Sequence, residues 1–149
     1  MRPVKQDEEL EVAREDLDPD YVRRRIDDWV RRIDDIYSAI RQAAVAAGIS
    51  VADGPPVVMH EEVMKRYKIG PRQLPTLLIT APGRIIKVIP KGLWTIGGNG
   101  RIDLVTSRGL FMLVDFADEP FSRPTWRIYG PGHRDGTAYA PETVLQLVA

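Results

Sequence analysis

Apolar residues recur between residues 18 and 48 at Val22, Ile26, Trp29, Ile33, Ile36, Ile40, Ala43 and Ala47, a regular alternation of four- and three-residue steps. This spacing keeps one stripe on a single side of an α-helix over about four heptads. Val30, Tyr37 and Ala44 widen the stripe on one flank. Both ends carry stop signals. Asp18 offers a carboxylate to the free amides of the first turn, Pro19 needs no amide donor there, and Gly48 suits a left-handed cap. A helix of this extent is roughly 43 Å long. On its polar side, Asp27 and Asp28 precede Arg31 and Arg32 by one turn, and Arg31 precedes Asp35 in the same way.

Two uses of the stripe compete. It can lie across the chain's own sheet as core, or part of it can pair with another helix, most simply that of a second copy. The rod's length favours the second, because neither of the other predicted helices could cover it, and its C-terminal alanines permit close approach. The expectation is a protein partner or homodimer held through Val22, Ile26, Trp29, Ile33, Ile36 and Ile40.

"SVADGPPVV" reads as a Gly/Pro connection and "MHEEVMKRYKIG" as a short helix with Val63, Met64 and Tyr67 inward. From residue 75 the period shifts towards two. Strands are predicted at 76–80, 84–89, 93–96, 101–106, 110–116 and 125–129, separated by "APG", "PKG", "GGNG" and "SRG". Connections this short make hairpins, since parallel neighbours need long crossovers. The chain closes with a short helix in "APETVLQLV", with Val144, Leu145 and Val148 on one side. The predicted fold is α+β: a five- to six-stranded antiparallel meander, open or barrel-like, with one long N-terminal helix and two short ones. The organisation is a flexible acidic tail (1–17), the helix (18–48) and a sheet region (49–149) that folds as one unit with it.

"GLWTIGGNG" tests the idea of a phosphate cradle. The Gly92-to-Gly97 spacing fits, but Gly98 and Asn99 stand where lysine and Ser/Thr belong, and a strand rather than a helix follows. A tight turn at Asn99-Gly100 is expected, with Gly97 and Gly98 at a bulge or strand end.

With no cysteine among 149 residues, disulfide scaffolds, thiol nucleophiles and cysteine-ligated metals are excluded. Two histidines, His60 and His133, leave little to build a metal site from, and no metal or cofactor is expected. No window is apolar enough to span a bilayer and no secretory leader is visible, so a soluble cytoplasmic protein without membrane attachment is expected. Net charge is zero, but residues 60–110 carry 9 Lys/Arg against 3 Asp/Glu, whereas residues 1–48 carry 9 against 12. The basic middle, with Arg84, Lys87, Lys91, Arg101 and Arg108 near Trp94, suggests single-stranded nucleic acid as one ligand class.

For catalysis the candidates are His133 and Asp135 in the polar loop 130–136, where "HRD" echoes a kinase loop without the rest of that signature. Asp103 and Asp115 join them if they face each other across a hairpin centred near Arg108, which would raise one of their pKa values. Those residues would serve a small hydrolase or lyase. The leading expectation is instead a non-enzymatic adaptor, immunity- or antitoxin-like protein, or accessory subunit, acting through its helix.

Overall fold

The computed structural model describes residues 17–147, so the expected tail falls almost wholly outside the described residues, as does Val148. Helix α1 (Pro19–Ala47) starts where its caps dictate. Asp18 Oδ1 accepts from the Tyr21 amide at 2.8 Å, and Gly48 closes the helix at φ 70°. After α1 come strands β1 (Ser50–Asp53) and β2 (Val57–Met59), helix α2 (Glu62–Arg66), strands β3 (Arg72–Leu74), β4 (Leu77–Ala81), β5 (Arg84–Gly92), β6 (Arg101–Thr106), β7 (Gly109–Asp115), β8 (Trp126–Gly130) and β9 (His133–Ala138), and helix α3 (Pro141–Gln146).

Seven strands form one antiparallel sheet in the order β1-β4-β5-β6-β7-β8-β9, and β2 pairs with β3 in a small second sheet. The meander is as expected. The sheet has two free edges, β1 and β9, and does not close into a barrel. No helix among the described residues is long and apolar enough to cross a membrane.

From Val22 to Ile40 the stripe of α1 is covered by this one chain. Val22, Trp29, Ile33 and Ile40 are fully buried, and Ile26 and Ile36 nearly so. The expectation of a seam left open for a second helix is thereby corrected, and the reason is width. Seven strands at about 4.8 Å spacing are roughly 34 Å across, comparable to the rod itself. Along its length α1 meets strands from one side of the sheet to the other. Trp29 meets Trp126 of β8 with ring centroids 6.2 Å apart, Arg32 reaches Asp115 of β7, Tyr37 Oη donates to the Pro75 carbonyl beside β4 at 2.8 Å, and Arg41 pairs with Asp53 of β1. The alanines at the C-terminal end do admit a close neighbour, which is the chain's own α3: Ala43, Ala46 and Ala47 line a cleft with Leu145 and Gln146.

At Gly100 the backbone leading into β6 lies directly against the ring of Trp29. The glycine has φ 139°, and a Cβ there would stand 2.8 Å from Trp29 Cη2 and nearer still to Cζ3. Two residues, Asn99 and Gly100, bond the single Asp115 opposite them, the Asn99 amide donating to its carbonyl at 2.8 Å and its own amide donating to the Gly100 carbonyl at 3.0 Å. The tight turn sits earlier, at Ile96-Gly97, bracketed by the Thr95–Gly98 bridge, with Gly97 at φ 73°. "LWTI" is not a strand: Leu93 and Trp94 are buried in the connection from β5 to β6.

Two predictions follow from the core. Gly100→Ala forces the ring of Trp29 aside and is expected to cost about 1–3 kcal/mol in urea denaturation, the range for overpacking. Burial lifts the Tyr37 hydroxyl well above its ordinary 10.0, and pushes Tyr139 up to about 12. Both stay protonated in the folded chain after the unfolded chain ionises. Their contribution is complete below pH 10 and is lost as pH rises through the folded values, by about 1.4 kcal/mol per pH unit for each tyrosine. Denaturation series from pH 8 to 11 should show this fall, and Tyr37→Phe should flatten it.

Candidate functional site

Alternation along the strands sorts side chains onto two faces. Ile79, Ile86, Val88, Ile102, Leu104, Phe111, Leu113 and Ile128 face α1 and are buried. The opposite face carries Ile85 and Lys87 of β5, Arg101, Asp103 and Val105 of β6, Leu110, Met112 and Val114 of β7, and Arg127 and Tyr129 of β8, and no described element lies over it. The register sets these residues in rows. Lys87, Val105 and Leu110 form one; Asp103, Met112 and Tyr129 the next; Arg101, Val114 and Arg127 a third.

Across the middle of this face runs a groove. One part, about 500 Å³, is walled by Trp94, Thr95 and Ile96 and floored by Met112, Val114 and Tyr129, with Arg101 and Phe116 at its sides. A second part, about 620 Å³, shares Met112 and Tyr129 and continues past Gly130–Gly132 to Arg134 and Asp135. Phe116 meets Tyr129 edge-on at 5.9 Å. Gly136 leaves room for Tyr129, since a Cβ there would lie 2.6 Å from its Cζ.

The wall of residues 93–98 is held from behind. The Glu61 carboxylate accepts from the Leu93 amide at 2.9 Å and the Trp94 amide at 3.2 Å. Gly98 sits so close to β7 that a Cβ would be 2.9 Å from Val114 Cγ1. The Arg25 guanidinium lies 5.8 Å from the centre of the Trp94 ring, a cation–π distance. Within this wall Trp94 Nε1 and Thr95 Oγ1 are buried without a hydrogen-bond partner among the described residues.

The four catalytic candidates are not brought together. Asp103 lies on the groove face, opposite Met112 rather than Asp115, and accepts from Arg101 Nε at 2.7 Å. Asp115 lies on the helix face. The physical reason is the turn: Thr106 pairs with Gly109 around a two-residue loop, which moves the register off the expected one. His133 and Asp135 belong to edge strand β9 instead of a loop, and His133 Nδ1 is 2.7 Å from Thr137 Oγ1. His60 is elsewhere, its Nε2 3.1 Å from the Ile69 carbonyl. No group of three or more His, Asp or Glu among the described residues could hold a metal ion.

The basic residues are likewise divided. Arg84 at the start of β5 and Arg108 in the turn after β6 lie at one end of these strands, Lys91 and Arg101 at the other, and Lys87 stands between them on the groove face.

Sequence reasoning missed a dense charged cluster, because Asp28 and Arg32 look like a surface helix pair and Asp115 like a lone strand carboxylate. Arg32 Nε donates to Asp28 Oδ2 at 2.9 Å; its Nη1 donates to Asp115 Oδ2 at 2.8 Å and to the Asn99 carbonyl at 2.7 Å. Asp115 Oδ1 accepts from the amides of Ala117 at 2.9 Å and Thr125 at 2.8 Å, and Arg31 also pairs with Asp28. Asp28, Arg32 and Asp115 are 1–5 % exposed. Burial lowers the Arg32 pKa, opposed by the charges of Asp28 and Asp115. So closed a cluster admits no substrate and joins helix to sheet.

Removing one member strands a buried charge, so Arg32→Ala is expected to cost about 3–5 kcal/mol, read from denaturant midpoints. Replacing Asp28, Arg32 and Asp115 together by apolar residues of similar volume should cost less than Arg32→Ala alone. Compared with known proteins, the chain matches no family model, no curated protein and no solved structure.

Proposed function

We propose that this chain is an interaction or accessory protein, of the adaptor or immunity-like kind, whose docking surface is the helix-free face of its sheet and whose occupant is another protein. One observation carries the reading. Among the described residues eight large apolar side chains remain exposed, and five of them lie on or beside this face at 37–62 % exposure, Ile85, Val105 and Leu110 towards one end of the strands and Ile96 and Phe116 towards the other, with Met112 and Val114 between. Apolar area left in water costs about 25 cal/mol per Å² relative to burial, and contiguous patches of it mark interaction surfaces.

The charges help to choose the occupant. The face carries Lys87, Arg101, Arg127 and Arg134 against Asp103 and Asp135, so two copies laid face to face would bring surfaces of the same net sign together, which disfavours self-pairing. Single-stranded nucleic acid needs a continuous basic track with open aromatic platforms. Here the cations are divided between the two ends of the sheet, Arg101 is already bound to Asp103, and aliphatic residues cover most of the space between. Catalysis finds no support in candidates placed on different faces and strands.

A photo-crosslinking residue at Leu110 or Val105, expressed in cells that make the chain natively, is expected to yield a discrete protein adduct absent when the label sits at Val45, an exposed position on α1. Identical adducts at all three positions, or none at Leu110 and Val105, would refute docking on this face.

A further inference from the structure

Resting on that docking reading, we propose that the groove over Met112 and Tyr129 takes an extended acidic segment of the partner, anchored by one large apolar side chain against the 94–96 wall.

The shape favours an extended chain. The two parts of the groove share a floor and run across β7 and β8 from Ile96 to Arg134, so an occupant crosses the strands instead of adding to an edge. The apolar end is built for a single bulky group: Ile96, Met112, Val114 and Phe116 surround it, and Glu61 and Gly98 fix the wall behind. A preformed pocket of this kind takes an anchor with little ordering cost.

The charge on the face selects the rest of the segment. Arg101, Arg134 and Asp135 line the groove, and Lys87, Asp103 and Arg127 stand beside it on the same face. Asp103 is taken up by Arg101 Nε, and Arg127 Nη2 donates to the Gly136 carbonyl at 2.9 Å while its charge remains. The balance is positive, and carboxylates complement it. The wall adds a second preference. A buried hydroxyl without a partner costs about 1–3 kcal/mol, and a carboxylate beside the anchor would give Thr95 Oγ1 an acceptor after a turn about χ1.

The test is selection of a random dodecapeptide library on the full chain, followed by fluorescence anisotropy of labelled winners. Enriched peptides should carry net negative charge and one aromatic or large aliphatic residue. Met112→Glu should weaken their binding at least tenfold, and Lys87→Glu with Arg134→Glu about tenfold, while Val45→Glu leaves it unchanged. Thermal melts of each variant confirm that it is folded, and Ile96→Ala serves as the milder substitution if Met112→Glu is not. Neutral or basic winners, or none, from a chain that still crosslinks at Leu110 would overturn this assignment and leave docking intact. Absence of both crosslinks and winners removes both. Tighter binding of a twelve-residue oligothymidylate than of any peptide, or self-association abolished by Leu110→Lys, would also overturn it.

Discussion

One helix has to cover one face of a seven-stranded sheet, and the rest of the architecture follows from that constraint. The apolar stripe of α1 is long because the sheet is wide. Its residues meet β8, β7, β4 and β1 in turn, and α3 fills the space beside its alanine-rich end. With α1 spent on one face, the described chain has no second layer for the other, which is why aliphatic side chains stand exposed there. The buried core and the exposed apolar face are two sides of one allocation.

Hydrophobic matching alone would let a uniform stripe slide along a uniform sheet. The buried Asp28–Arg32–Asp115 cluster removes that freedom, because only one placement lets Arg32, already paired with Asp28 on its own helix, reach the Asp115 carboxylate and the Asn99 carbonyl. Gly100 acts in the same direction by admitting the Trp29 ring at one point in the ladder. Buried ion pairs add little net stability over apolar replacements; their contribution here is to position.

Much of this was legible in the residues. The helix, its caps and the antiparallel meander are legible in period and turn chemistry, whereas the turn expected at Asn99-Gly100 lies at Ile96-Gly97 and the β6–β7 register sets Asp103 opposite Met112. What escaped has identifiable causes. β1, β2 and β3 are three or four residues long and flanked by Gly and Pro, too short for alternation to register. β9 is an edge strand, "HRDGTA", held by backbone pairing, so its side chains carry no apolar signal. "LWTI" carries such a signal without being a strand, since a buried connection needs the same residues. The groove was invisible as a unit, because its wall, floor and far end come from segments around residues 95, 113 and 132 that only the register brings together. The charged cluster was misjudged for a related reason: a pair one turn apart on a helix looks the same in sequence whether water or a sheet lies over it.

The span between Arg32 and Asp115 is 83 residues. During synthesis at about 5–20 residues per second, the helix leaves the ribosome roughly 4–17 s before the strand that receives its arginine. Through that interval its greasy side has nothing of its own to rest on. The newborn chain therefore carries an uncovered apolar stripe on its longest helix until the receiving strands have followed.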